Sequence, residues 1–266
     1  MEPPYFEGPS GLLPRSSSKH LFRSPGFNAL LGIINLDQGI KDSIYLLEEA
    51  MSLWSDAKDK IDIYSIQYDG KTSAPFKKPT SAQVARARQL LTEAQYILIS
   101  GDYKQSITTH AQSDRVSEYF RLTLILYSIT ILHEPAPSKF IDRRIGDIFR
   151  QVYTDLMSNL DNVSFSSPAA VWTSTVPIDF HLWALLLAAP VTDMITESET
   201  RSWLLTSFDK LVSPEYGDIR DWHDLKSRLS RFLWIPDIHD QTAWLFWLEV
   251  SKAREGNHLI MEEAKT

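Results

Sequence analysis

Residues 231–250 read "RFLWIPDIHDQTAWLFWLEV", with three tryptophans, a proline and the trio Asp237, His239 and Asp240. On one reading the trio is a catalytic or metal-binding cluster; on the other it is the turn between two helices whose aromatic faces are buried. The spacing favours the turn. Asp237 and Asp240 stand three apart, but Pro236 sets them on a turn, away from the clustered oxygen ligands that a magnesium or calcium ion requires. Asp240 before "QTAW" suits a helix N-cap, where its oxygen takes an orphan amide proton and contributes about 1 kcal/mol. Trp244, Trp247 and Leu248 then repeat at three and four. Helices over 221–234 and 241–254 are therefore predicted to fold against each other with the tryptophans inside, leaving His239 as a turn residue that the fold does not need.

The same periodicity runs back along the chain. Ile40, Ile44, Leu47, Met51 and Trp54 form an amphipathic stripe, predicting a helix over 37–59. Gly70, Pro75 and Pro79 make 61–79 a loop with room for a short extended piece. Val84, Ala87, Leu91, Ala94 and Leu98 mark a second helix, capped by Thr80 or Ser81 and ended by Gly101. From Asp114 to His133 nearly every face is apolar after Leu122, which places that helix centrally, and Pro135 and Pro137 stop it. Ser138 opens its partner, with Ile141, Ile145, Ile148, Val152, Leu156 and Leu160 on one stripe. Helices follow over 178–195, kinked or divided by Pro190, and over 198–212. Seven or more helices, no convincing hairpin and no repeat of fixed period predict an all-α fold, one large helical domain over 37–266. The first 36 residues are expected to be a flexible lead-in, since residues 1–26 hold five prolines and five serines and few apolar positions to offset their ordering entropy.

Composition narrows the function classes. Against 27 Lys and Arg stand 34 Asp and Glu, a net charge of -7, the wrong sign for a chain that must neutralise phosphates by itself. With no cysteine, thiolate zinc sites, disulfides and a cysteine nucleophile are excluded. The longest apolar runs, 122–132 and 182–191, fall short of the roughly 20 residues that cross a bilayer. The amino end lacks the apolar centre of a secretory signal, so an intracellular location is expected.

Chemistry is sparse. There is no Asp-Asp-x-x-Asp cluster, no Gly-x-Ser-x-Gly elbow and no Gly-rich phosphate loop. The seven histidines, at 20, 110, 133, 181, 223, 239 and 258, never pair at the i, i+4 spacing of a zinc helix. If the chain is an enzyme, Asp179, His181 and His223 are the first candidates to converge in a cavity; the blander reading of His181 and His223 is a hydrogen-bonded core histidine. No catalytic, cofactor or metal residue is therefore assigned.

The order of three segments carries more: "RVSEYFRLTLILYSITIL" (115–132), "HLWALLLAAPVTDMITESETRSWLLTSF" (181–208) and "LKSRLSRFLWIPDIHDQTAWLFWLEV" (225–250). Together they resemble the fungal-specific transcription-factor domain, the regulatory region of fungal binuclear zinc-cluster factors. Arg121, Tyr127, Leu182, Trp183, Arg201, Trp203, Phe232, Leu233, Trp234 and Trp247 stand where that pattern wants them, and the resemblance spans roughly residues 37–250. It implies a nuclear regulator of transcription, controlling a metabolic or secondary-metabolite pathway and not an enzyme. Zinc-cluster factors read DNA through six zinc-coordinating cysteines, and these are missing. The resemblance then implies action through protein contacts, with a full-length zinc-cluster factor or a co-regulator as partner, a small effector between helices, and no direct nucleic-acid or membrane binding. On the residues alone, a non-catalytic helical scaffold stands as the alternative.

Overall fold

A computed structural model describes residues 22–31, 33–65, 81–100, 112–132, 139–161, 176–193 and 198–263. Nine helices and no strand occur among them: α1 (Pro25–Leu31), α2 (Gln38–Ser65), α3 (Ser81–Ser100), α4 (Gln112–Leu132), α5 (Lys139–Asp161), α6 (Ile178–Asp193), α7 (Ser198–Val212), α8 (Trp222–Leu229) and α9 (Pro236–Glu263). The protein is all-α, with one continuous hydrophobic core.

The most apolar helices lie innermost. In α6 every residue from Phe180 to Ala189 is buried, and in α4 every residue from Leu122 to Ser128, because neither segment offers a polar face to water. Helix α4 packs on α5, α6, α3 and α2, while α6 packs on α7, α8 and α9 as well. Helices α2 and α3 pair most extensively, burying Ile40, Ile44 and Leu47 with Ala87, Leu91, Ala94 and Leu98. Arg121 ties α3 to α4, gripping Glu118 through two bonds of 2.6 and 2.5 Å and donating at 2.9 Å to the Leu98 carbonyl.

Four expectations change. The domain begins well before residue 37: Phe22, Phe27, Leu30 and Leu36 are all buried in the core, and α1 is a helix in what reads as lead-in. Ser24-Pro25, a capping residue followed by proline at the first helical position, with Phe27, Leu30 and Leu31 beyond, is the signal that composition masked. Residues 1–21 lie outside the described residues. Helix α2 runs on to Ser65, so only 66–79 of the expected loop remains, also outside the described residues. Helix α6 passes through Pro190 undivided at the cost of one ladder bond, and Arg201 donates to the neighbouring Ala189 carbonyl at 3.4 Å.

The fourth change concerns residues 221–240. Helix α8 is capped by Asp221, whose Oδ1 accepts the Asp224 amide at 2.8 Å, and it ends at Leu229, five residues short of Trp234. Helix α9 begins at Pro236, not after Asp240, because proline at a first helical position needs no amide partner and its fixed φ suits the helix. Asp237, His239 and Asp240 are therefore residues of the opening turns of α9 and not of a loop.

Candidate functional site

Among the described residues, three places bear on the candidate side chains. The first is the α4–α5–α6 interface, where Tyr119 Oη lies 3.0 Å from His181 Nδ1 with the rings stacked at 5.3 Å. Phe149 stacks on Tyr119 and Tyr153 stands edge-on to His181. Tyr119 and His181 are both 0% exposed. Burial lowers the His181 pKa from 6.5 to about 3, and burial, with Tyr153 beside it, raises that of Tyr119 well above 10.0. A neutral imidazole thus faces an un-ionised phenol with no exposure to solvent. This is the hydrogen-bonded core histidine of the blander reading.

The second place is the start of α6. Asp179 lies in its first turn, 8% exposed, where the helix dipole favours an anion. Its carboxylate pairs with Arg231 and, at 3.5 Å, with Arg228, which also reaches Asp224 at 3.3 Å. Asp179 is thus occupied by two guanidinium groups that fasten α6 to α8 and the turn after it. His223 sits exposed on α8. The three residues nominated as a catalytic set do not converge: two are buried with separate partners and the third faces water.

The third place is the turn between α8 and α9. His239 Nδ1 accepts the Ile235 amide at 2.9 Å, and Nε2 lies 3.2 Å from Thr130 Oγ1. The Thr130 hydroxyl donates to the Tyr127 carbonyl at 2.7 Å, so its oxygen accepts from Nε2–H and the tautomer is fixed. His239 is 5% exposed and its pKa falls to about 4, lowered by burial against a smaller raising effect of Asp240. It satisfies an amide at the start of α9, a task a Glu or Gln of a capping box usually performs, and moors that helix to α4. Asp240 accepts Trp234 Nε1 at 2.8 Å and Lys226 Nζ at 2.5 Å. His239 and Asp240 are thus engaged with groups of the fold itself, against the expectation that the fold does not need His239. Sequence gives no sign of this, because the partner threonine lies 109 residues away.

Residues that carry the resemblance gather beside this turn. Trp183, fully buried, donates through Nε1 to the Leu233 carbonyl at 3.1 Å, stacks on Phe232 at 5.5 Å and lies 5.7 Å from Tyr127. Arg201 pairs with Glu249 and lies 4.8 Å over the Phe246 ring, joining α7 to α9. Trp247 is buried, whereas Trp244 was expected inside and is 39% exposed, edge-on to Trp222 at 5.4 Å.

No family model, curated protein or solved structure matches the chain.

One open groove lies between α5 and α7, with a volume of about 650 Å³ and lined by Arg150, Glu199, Ser202, Trp203, Thr206 and Ser207. Arg150 crosses it, pairing with Glu199 at 2.6 Å and lying 5.8 Å over the Trp203 ring. Among the described residues no group of three or more His, Asp or Glu side chains is placed to hold a metal ion, and no helix is long and apolar enough to cross a membrane.

Proposed function

We propose that the chain is a transcriptional regulator or co-regulator related to fungal zinc-cluster factors, acting in the nucleus through protein contacts rather than catalysis. The observation that carries this reading is the meeting of Tyr127, Trp183, Phe232 and Leu233, from three separate segments, in one seam within an all-α core. Arg121 and Arg201, also part of the resemblance, make the stapling contacts between helices. A second support is negative charge: at -7 the chain suits partners made of protein better than phosphate backbones. In this role the buried histidines and aspartates hold shape, and recognition falls to the surface.

Tethering tests the proposal. The chain fused to an unrelated DNA-binding domain is expected to change expression of a reporter bearing that domain's site several-fold. The purified chain alone is expected to leave duplex DNA unshifted at physiological salt and to carry no zinc, having no thiolates. Tethered expression indistinguishable from the DNA-binding domain alone would count against the proposal, as would sequence-specific binding by the isolated chain.

A further inference from the structure

Along the groove between α5 and α7, Glu199, Ser202, Trp203, Thr206 and Ser207 recur at three and four, so they form one stripe of α7, with Arg150 of α5 opposite. Its volume of about 650 Å³ falls within the roughly 300–1,000 Å³ of small-molecule sites. Trp203 is the apolar wall. Its ring is partly buried against the core, meets Tyr153 edge-on at 5.5 Å, and lies 5.8 Å from the Arg150 guanidinium. A ring held in this way needs no ordering when a ligand arrives.

Arg150 donates to Glu199 through one terminal nitrogen, at 2.6 Å, and its other terminal nitrogen lies 3.5 Å from Thr200 Oγ1. A guanidinium offers a fork of N–H donors that matches both oxygens of a carboxylate, and Glu199 engages it through one oxygen. The Glu199 side chain is 81% exposed, so the pair is weakly held and readily exchanged. Glu199 thereby stands where a carboxylate from outside would bind.

We propose that this groove binds a small aromatic carboxylate of one or two rings, which takes the place of Glu199 on Arg150 and lays its ring against Trp203. Among the described lining residues Arg150 is the sole cation, which suits one negative charge better than the two of a phosphate. The Thr206 hydroxyl donates to the Ser202 carbonyl at 2.9 Å, leaving its oxygen to accept from a ring hydroxyl. The inference rests on the groove alone and holds whether or not the chain acts in transcription.

Titration of the isotope-labelled full chain with naphthoate tests it, followed by nuclear magnetic resonance at the Trp203 indole N–H and the Arg150 Nε–H. Both resonances are expected to shift and saturate in the millimolar range or below. Naphthamide, the uncharged counterpart, should bind at least about tenfold more weakly, as should naphthoate to Arg150→Gln. Glu199→Gln removes the competing carboxylate and should tighten naphthoate binding roughly two- to fivefold, a gain that a pair serving only to join α5 to α7 does not produce. If Arg150→Gln does not fold, Glu199→Gln, a change at an exposed side chain, still decides. Resonances that stay still in several millimolar naphthoate would overturn the proposal, as would equal binding of the amide, or a Glu199→Gln chain that binds no better than the parent.

Discussion

Trp183→Ala is expected to cost about 5 kcal/mol, enough to unfold a domain of ordinary stability at room temperature. Truncating a fully buried tryptophan costs roughly 3–5 kcal/mol through lost burial and the cavity left behind. The Leu233 carbonyl also loses the indole N–H that satisfies it, and an orphaned buried acceptor adds about 1–3 kcal/mol. The cavity cannot collapse easily, because Phe27, Tyr127, Phe180 and Phe232 all rest on the same ring and come from different parts of the chain. Trp183→Phe keeps part of the packing but not the donor and should fall between parent and alanine. Urea titration followed by circular dichroism measures the series, and an alanine variant with the parent midpoint would remove Trp183 from the centre of the fold.

Stability should also fall steeply in mild acid. Both buried histidines have folded pKa values depressed by burial, to about 3 for His181 and about 4 for His239, against 6.5 when free. The unfolded chain therefore takes up protons first. Their contribution is complete above about pH 6.5 and drains away as pH falls toward the folded values, at about 1.4 kcal/mol per pH unit for each histidine. Between pH 6.5 and 5 the two together should remove roughly 3 kcal/mol, over a range where carboxylates remain mostly ionised. Unfolding free energies at pH 7, 6 and 5 test this, and His239→Gln should be less stable at pH 7 while showing about half the slope. A flat profile would mean that both imidazoles are solvated.

Helices α3, α4, α5 and α7 were legible within two residues at each end, because long stripes at three and four leave few alternatives to a buried face. Helix α1 was hidden for the opposite reason. Seven residues among prolines and serines have no period to read, and Phe27 and Leu30 are ordered by a groove that α2, α6 and the 231–232 turn build from distant sequence. The start of α9 was misplaced because Asp240 looks like a better cap than Ile235, and the side chain that relieves Ile235 is a histidine whose burial depends on α4. His181 was legible as a core residue, but not its bond to Tyr119 across 62 positions. Asp179 read as a candidate acid only because Arg228 and Arg231 lie some fifty residues on, beyond any local pattern.

His239 and Asp240, in the opening turns of α9, bind helices together, and thermal melts of Trp247→Ala, His239→Ala and Asp240→Ala test that claim most directly. Trp247→Ala should lose about 3–5 kcal/mol as a buried aromatic truncation. His239→Ala should lose about 2–3 kcal/mol, since the Ile235 amide and Thr130 both forfeit a buried partner. Asp240→Ala should lose about 1–2 kcal/mol with the bonds to Trp234 and Lys226. All three variants melting below the parent, in that order, is the expected result; His239→Ala and Asp240→Ala melting with the parent would contradict it and return the cluster to the chemistry its sequence first suggests.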